Sequence, residues 1–206
     1  MRTRTVVGML RKFAAGGLLI ALAVPAAAQI TGTAHDLSGR GWGTTEICIF
    51  CHTPHGGQTG LAAPLWNHAT TTATYQLYTS AVSSTFNATP GQPGDISKLC
   101  LSCHDGTVAV DSFGGTTGAN FIAAGANLGT DLQQDHPVGF TYDAALAAAD
   151  TGLITPASAT QVVAGIPLFA TKLECASCHN VHSNTNAPFL RASNAASALC
   201  LKCHLK

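Results

Sequence analysis

Charged residues, methionines and long apolar runs are all scarce in this chain of 206 residues. Lys, Arg, Asp and Glu together make up 10% of it, and its two methionines are Met1 and Met9. No segment reaches the roughly 20 apolar residues that cross a bilayer as a helix, so we expect no transmembrane segment. The few Lys and Arg residues argue against nucleic acid as a partner. A weakly charged surface does not repel copies of itself, which permits self-association.

The N-terminus has the pattern of an export signal. Basic residues are followed by an apolar stretch at 16–24 and by small residues before Gln29. This pattern predicts a cleaved signal peptide over residues 1–28; the alternative is a retained N-terminal helix. Cleavage would leave 178 residues with six Lys or Arg against ten Asp or Glu, a net charge of −4. We expect an exported protein, extracellular or at the cell surface, with the periplasm as the alternative.

Every cysteine belongs to one of four copies of Cys-x-x-Cys-His, the attachment signature of c-type haem. In this signature two thiols bond two vinyl groups of one porphyrin, and the following histidine becomes the proximal iron ligand. The sequence therefore predicts four covalently bound haems. The thioether residues would be Cys48, Cys51, Cys100, Cys103, Cys175, Cys178, Cys200 and Cys203, and the proximal histidines His52, His104, His179 and His204.

Two alternatives for the cysteines are zinc and disulfides. Zinc knuckles use paired CxxC motifs but do not require a histidine after each pair, and a bridge within CxxC closes a loop too small to constrain a fold. With about 44 residues per haem, the chain is too short for an ordinary apolar core. We therefore expect a mostly irregular multihaem cytochrome c fold, with short α-helices and little β-structure around a stacked tetrahaem core.

The chain repeats itself once. Each half contains, in the same order, an upstream histidine next to Asp, the pattern CxxCHxxH, the pair Ala-Pro and the pattern LCLxCH. We interpret residues 29–206 as a single domain of two dihaem modules, about 31–130 and 131–206, because each module is too small to enclose its haems alone.

Local patterns predict little regular structure. Short helical turns should carry the motifs, since residues i and i+3 must face the same way. Residues 143–149 suggest another short helix, and 75–82 an extended segment. Residues 114–118 and 151–164 have the composition of surface loops.

The repeat also nominates the distal iron ligands. No methionine follows Met9, so we expect histidine on both sides of each iron and low reduction potentials, because methionine ligation raises the potential. The corresponding pairs are His35 with His136, and His55 with His182. His68 has no counterpart and is a possible alternative ligand or a spare histidine near a haem propionate. For each of these histidines the alternative is an ordinary loop residue.

The position of His55, three residues after His52, prevents it from reaching the opposite face of the same haem. We therefore expect His55 and His182 to bind the iron of a neighbouring haem, which would bring the haems into contact for fast electron transfer.

Several stretches resemble extracellular multihaem cytochromes of metal-reducing bacteria. The similarity is to the OmcE-type tetrahaem cytochrome nanowires and covers most of the chain after residue 28. It is carried by His35-Asp36-Leu37-Ser38, Cys51-His52-Thr53-Pro54-His55-Gly56, Ala63-Pro64-Leu65-Trp66-Asn67, Leu99-Cys100-Leu101-Ser102-Cys103-His104-Asp105-Gly106-Thr107 and Asp135-His136-Pro137-Val138-Gly139-Phe140.

The resemblance implies a homopolymeric filament with a continuous chain of haems in alternating parallel and T-shaped pairs. It also implies that one haem per subunit takes its distal histidine from the adjacent subunit. His35 is the candidate donor, since an N-terminal arm exchanges easily between protomers.

Three functions remain open at this point. The first is an electron conduit without substrate chemistry, passing electrons to redox proteins or extracellular acceptors. The second is a monomeric periplasmic or secreted electron shuttle. The third, a reductase for nitrite, hydroxylamine or a similar species, requires an open iron position and acid–base groups. Histidines outnumber the open positions here and no CxxCK motif occurs, so we expect an electron-transfer protein rather than an enzyme.

Overall fold

The computed structural model describes residues 29–205; the predicted signal peptide, with Met1 and Met9, lies outside the described residues. In the described part the helices are α1 (Asp95–His104), α2 (Ala144–Ala149) and α3 (Cys175–Cys178). The strands are β1 (Phe140–Thr141) and β2 (Lys172–Leu173), and 3₁₀ turns occupy Ser38–Arg40, Ile47–Phe50, Ala124–Ala126, Ala195–Ser197 and Cys200–Lys202. The remainder is irregular, which confirms the expected fold class. No helix among residues 29–205 has the length and apolar character needed to cross a bilayer.

Helix α2 confirms the helix predicted over 143–149. Its six residues are five alanines and Leu146, and alanine has the highest helix propensity. Asp143 caps the N-terminus, since its Oδ1 accepts a hydrogen bond of 2.9 Å from the backbone N–H of Leu146. Local sequence is enough to form this helix.

Within residues 29–205, buried apolar side chains form two small clusters rather than one large core. In the larger one, the antiparallel pair β1–β2, with Phe140 opposite Leu173, packs among buried side chains. This cluster consists of Phe140, Tyr142, Val162, Ile166, Leu168 and Leu173. The smaller one contains Tyr75, Leu101 and Leu132. Clusters of this size agree with the expectation that the chain lacks an ordinary apolar core.

Two local predictions are wrong in part. Residues 151–164 were expected to be a surface loop, but Val162 is fully buried and bonds to the backbone of Ile166 at 3.0 Å. Val162, together with the partly buried Leu153 and Val163, anchors this loop in the larger cluster. Residues 75–82 begin extended, with Gln76 bridged to Asp131, but end in a turn from residue 79 to 82. The expected loop at 114–118 is confirmed.

Candidate functional site

Each Cys-x-x-Cys-His motif lies on a helical turn, as expected. The first motif is on the 3₁₀ turn Ile47–Phe50 and the second at the end of α1. The third coincides with α3 and the fourth with the 3₁₀ turn Cys200–Lys202. A helical turn brings residues three positions apart to the same side. The two thiols of each motif can therefore meet one porphyrin edge.

The motif histidines are oriented by backbone carbonyl groups. The Nδ1 atoms of His52 and His104 lie 2.8 Å from the carbonyl oxygens of Pro64 and Ala126, and that of His179 lies 3.2 Å from the carbonyl oxygen of Pro188. A carbonyl oxygen can only accept, so Nδ1 must carry the ring proton. This tautomer leaves the Nε2 lone pair free for a metal, the usual arrangement of a histidine ligand.

The Ala-Pro pairs of the repeat supply two of these carbonyls. Pro64 follows Ala63 in the first module and Pro188 follows Ala187 in the second. The next residue in each, Leu65 and Phe189, has a left-handed backbone with φ of 55° and 58°. Sequence reasoning used the Ala-Pro pair only as a marker of duplication. Its recurrence after CxxCHxxH in both halves, 12 residues beyond the motif histidine in one and 9 in the other, was the signal for this role.

Three histidine pairs face each other across nearly equal gaps. The ring centroids are 6.0 Å apart for His35 and His104, 6.2 Å for His52 and His182, and 6.3 Å for His136 and His204. Each pair joins one motif histidine to one predicted distal histidine. These separations agree with ligation of a common iron. A histidine–metal bond is about 2.0 Å and the ring centroid lies about 1.1 Å beyond the nitrogen, so opposed ligands have centroids about 6.3 Å apart.

Burial favours the neutral form of two predicted distal ligands. Desolvation lowers the pKa of His35, and the nearby His104 and His179 lower it further. Desolvation, followed by the charge of His52, also lowers the pKa of His182. A histidine must be neutral to bind a metal, so both imidazoles are in the form that ligation requires.

Two histidines have no opposed ring within residues 29–205. His55 is exposed, on the loop after the first motif, and no histidine or aromatic ring of the described chain lies against it. The motif histidine His179 is also exposed; it lies near enough to His35 to lower the pKa of that residue, but the ring opposite His35 is that of His104. The structure thus places three of the four predicted distal histidines opposite a motif histidine and leaves one histidine of each kind.

His68 occupies a different environment. It is 2% exposed, with Nδ1 2.7 Å from the carbonyl oxygen of Ala69 and Nε2 3.1 Å from that of Ala109. A neutral imidazole carries one N–H, so it donates to one of these carbonyl oxygens, and Nε2 also lies 3.5 Å from Cys103 Sγ. Both ring nitrogens thus have close neighbours within the chain, which is the environment of a buried structural residue.

Two buried side-chain nitrogens without hydrogen-bond partners indicate that a further chemical group fits beside these histidines. Among residues 29–205, the buried side-chain nitrogens that lack a hydrogen bond are His35 Nδ1 and Trp66 Nε1. His35 is opposite His104, and the Trp66 ring lies edge-on to His52 at 6.1 Å. An unsatisfied buried donor costs about 1–3 kcal/mol. Propionate oxygens of a haem would offer acceptors here, so the residues fit the group.

The comparison with protein families agrees with this geometry. A family model described as the doubled CXXCH motif matches residues 168–206, which contain the third and fourth motifs. The doubled motif indicates a multihaem c-type cytochrome. Covalently bound c-type haem and a role in electron transfer follow from this motif. No curated protein matches the chain closely enough to be reported as a relative.

The chain places its motifs next to one another in sequence order. After burial, the next cause of the raised pKa of Cys103 is its neighbour Cys51, and the largest cause of the raised pKa of Cys100 is its neighbour Cys175. Cys178 in turn interacts with Cys200. Successive attachment turns are therefore neighbours from the first motif to the fourth.

Burial raises the pKa of several motif thiols. Burial, followed by the neighbouring Cys48, raises the pKa of Cys51 to about 11. Burial, followed by the neighbouring Cys51 and Asp105, raises the pKa of Cys103 to about 12. The pKa of Cys175 is instead lowered, chiefly by its neighbour Cys100.

Proposed function

We propose that this cytochrome conducts electrons through four bis-histidine haems and that its copies join into an extracellular filament. The observation that carries the proposal is the pair of unmatched histidines, His55 and His179. His55 is an exposed candidate for a distal ligand and His179 is an exposed motif histidine. Two neighbouring copies of the chain could therefore supply the two ligands of one iron.

The other three irons would be held within one chain. His182 would complete the site of His52, His35 that of His104, and His136 that of His204. Each site would have its thioether cysteines on a helical turn, and the Nδ1 atoms of His52 and His104 lie against backbone carbonyl oxygens. The haem supplies reversible one-electron exchange at iron when it is bound. With histidine on both faces, no iron position is left open for a substrate, which favours conduction over the reductase alternative.

The fourth iron would take His55 from the next subunit. The resemblance suggested His35 as the donor between subunits, but His35 lies opposite His104 of its own chain and against Phe189, with ring centroids 4.6 Å apart. His55 is exposed and lies on a loop between turns. The geometry therefore favours His55 as the donor and His179 as the acceptor site.

The interface between subunits would be head to tail. In such a contact, two different surfaces of the same chain meet. Repetition of this contact extends into a filament when the rotation between subunits does not produce a closed ring. Exposed apolar side chains are present on both surfaces. Leu65, 51% exposed, is on the loop beside the His55 turn, and Val181, 37% exposed, lies two residues from His179. Both side chains would be buried in the interface, as apolar groups are at interface centres.

The test is a His55→Gly variant of the secreted protein, studied by electron microscopy and by electronic and EPR spectroscopy. We expect filaments from the wild type and dispersed subunits from the variant, with about one haem in four becoming high-spin. Added imidazole should restore the low-spin spectrum but not the filaments, because it fills the iron position without linking subunits.

Two results would contradict the proposal. A His55→Gly protein that still forms low-spin filaments would exclude His55 as the donor. A wild-type protein that is monomeric with four six-coordinate haems would favour the electron shuttle. Mass spectrometry of the same samples checks the count of four haems, and fractionation distinguishes the extracellular location from the periplasm.

A further inference from the structure

A buried polar cluster joins α1 to α3. It consists of Ser97, Glu174 and Ser177, whose side chains are 0%, 2% and 0% exposed, and we call it the α1–α3 clamp. The Ser97 hydroxyl donates a short hydrogen bond to Glu174 Oε2. Ser97 Oγ also accepts a bond of 2.9 Å from the backbone N–H of Cys175. One serine of α1 thus holds both the first cysteine of the third motif and the carboxylate before it.

Within α3 the same carboxylate closes a capping box. The Glu174 backbone N–H donates to Ser177 Oγ at 3.0 Å, and the Ser177 backbone N–H donates to the Glu174 side chain. A capping box satisfies backbone donors that a helix start leaves open. Glu174 therefore fixes the shape of the third attachment turn while Ser97 fixes its position on α1.

The clamp is located at the junction of two haem-attachment turns. Ser97 is three residues before Cys100, and Glu174 directly precedes Cys175. The backbone N–H of Cys175 donates to Ser97 Oγ, one turn before Cys100. These two cysteines belong to different modules, so the clamp spans the boundary between the modules.

The repeat does not explain the burial of Glu174. Its counterpart before the first motif, Glu46, is exposed, and its backbone N–H bonds to Thr44 Oγ1 at 3.0 Å. Burying a carboxylate is costly even when it is hydrogen-bonded. Of the two corresponding glutamates, only Glu174 is buried, and it lies where attachment turns from different modules meet.

We propose that Glu174 and Ser97 are positioning residues for electron transfer between the two modules. Ser97 holds the second and third attachment turns at a fixed distance and orientation. The negative charge of Glu174 lowers the reduction potential at the adjacent motifs, because a nearby anion stabilises ferric over ferrous iron. This inference rests on the proposed function to the extent that haems must occupy the second and third motifs.

The test uses the mature holoprotein with three variants. Glu174→Gln keeps the shape of the side chain and removes its charge. Ser97→Ala keeps the charge and removes the bridge to α1. Glu46→Gln is the matched control, since it neutralises the corresponding residue of the other module. The measurements are the haem count by mass spectrometry, a spectroscopic redox titration, and circular dichroism in the Soret region, where coupling between neighbouring haems reports their relative orientation.

We expect Glu174→Gln to shift part of the titration curve to more positive potential. Ser97→Ala should change the Soret dichroism with a smaller shift in potential, and Glu46→Gln should match the wild type in both. If Glu174→Gln does not mature, Glu174→Asp replaces it: this variant keeps the charge but shortens the reach, so its dichroism should change and its potentials should not.

The inference is overturned if the mature variants of Glu174 and Ser97 have the dichroism and the titration curve of the wild type. It is also overturned if Glu46→Gln produces the same shift as Glu174→Gln, since the effect would then be one of overall charge. A wild-type protein with fewer than four haems would instead contradict the proposed function, so the two failures are distinguishable.

Discussion

The imidazoles of His52 and His182 have ring centroids 6.2 Å apart and planes inclined by 25°. His52 belongs to the first of the two repeated halves and His182 to the second. This pair therefore crosses between the halves, whereas the pairs His35 with His104 and His136 with His204 each stay within one half. Like the α1–α3 clamp, the crossed pair is a contact through which the two halves depend on each other.

We expect His182→Gly to convert one haem in four to a high-spin form, because the variant removes the ring opposite His52 and no other histidine ring among residues 29–205 faces His52. EPR and electronic spectra of the ferric protein measure the change, and added imidazole should reverse it. A fully low-spin His182→Gly protein would show that His182 is not a ligand.

For the buried His68 we expect no change in the spin state of any haem. His68→Gln removes the hydrogen bond from the imidazole to the carbonyl oxygen of Ala69 or Ala109 but no histidine that lies opposite a motif histidine, so all haems should stay low-spin. Loss of buried hydrogen bonds costs about 1–3 kcal/mol, or a decrease in Tm of several degrees for a chain of this size. Thermal unfolding and EPR on one sample provide both measurements, and a high-spin signal would identify His68 as a ligand after all.

Replacing a distal histidine by methionine should raise one potential. In His136→Met the ring opposite His204 becomes a thioether, and methionine ligation shifts haem potentials upward. A redox titration should then show one of four components displaced to more positive potential while the others stay in place. The same substitution at His68 is the control, and it should leave all the potentials unchanged.

The fourth attachment turn depends on a tyrosine of the larger apolar cluster. The Tyr142 hydroxyl donates to the carbonyl oxygens of Ile154 and Cys203, at 2.9 and 3.3 Å. Tyr142→Phe leaves both carbonyls without this donor, so we expect a loss of about 1 kcal/mol and a decrease in Tm of about 2–4 °C. Tyr78→Phe, whose hydroxyl makes no hydrogen bond among the described residues, is the matched control. Equal effects of the two substitutions would exclude this role for the Tyr142 hydroxyl.

Sequence reasoning predicted the features that depend on spacing. The CxxCH turns and the helix after Asp143 follow from residues within one or two turns of each other. The duplication predicted which four histidines stand apart from the motif histidines, and three of them face motif histidines in the structure. The prediction for residues 151–164 failed at Val162, because the few apolar residues of this stretch follow neither helical nor strand periodicity, although the burial of Val162 is complete.

The sequence by itself determined the cofactor class, the irregular fold and the set of histidines available to the irons, since all three are local or compositional properties. Only the tertiary structure decided which histidines face each other, that His68 is held by carbonyl groups, and that Glu174 is buried while Glu46 is not. These outcomes depend on contacts between segments up to 130 residues apart. Two copies of one local pattern, alike in the order of their motifs, acquire different environments because the chain packs them against different neighbours.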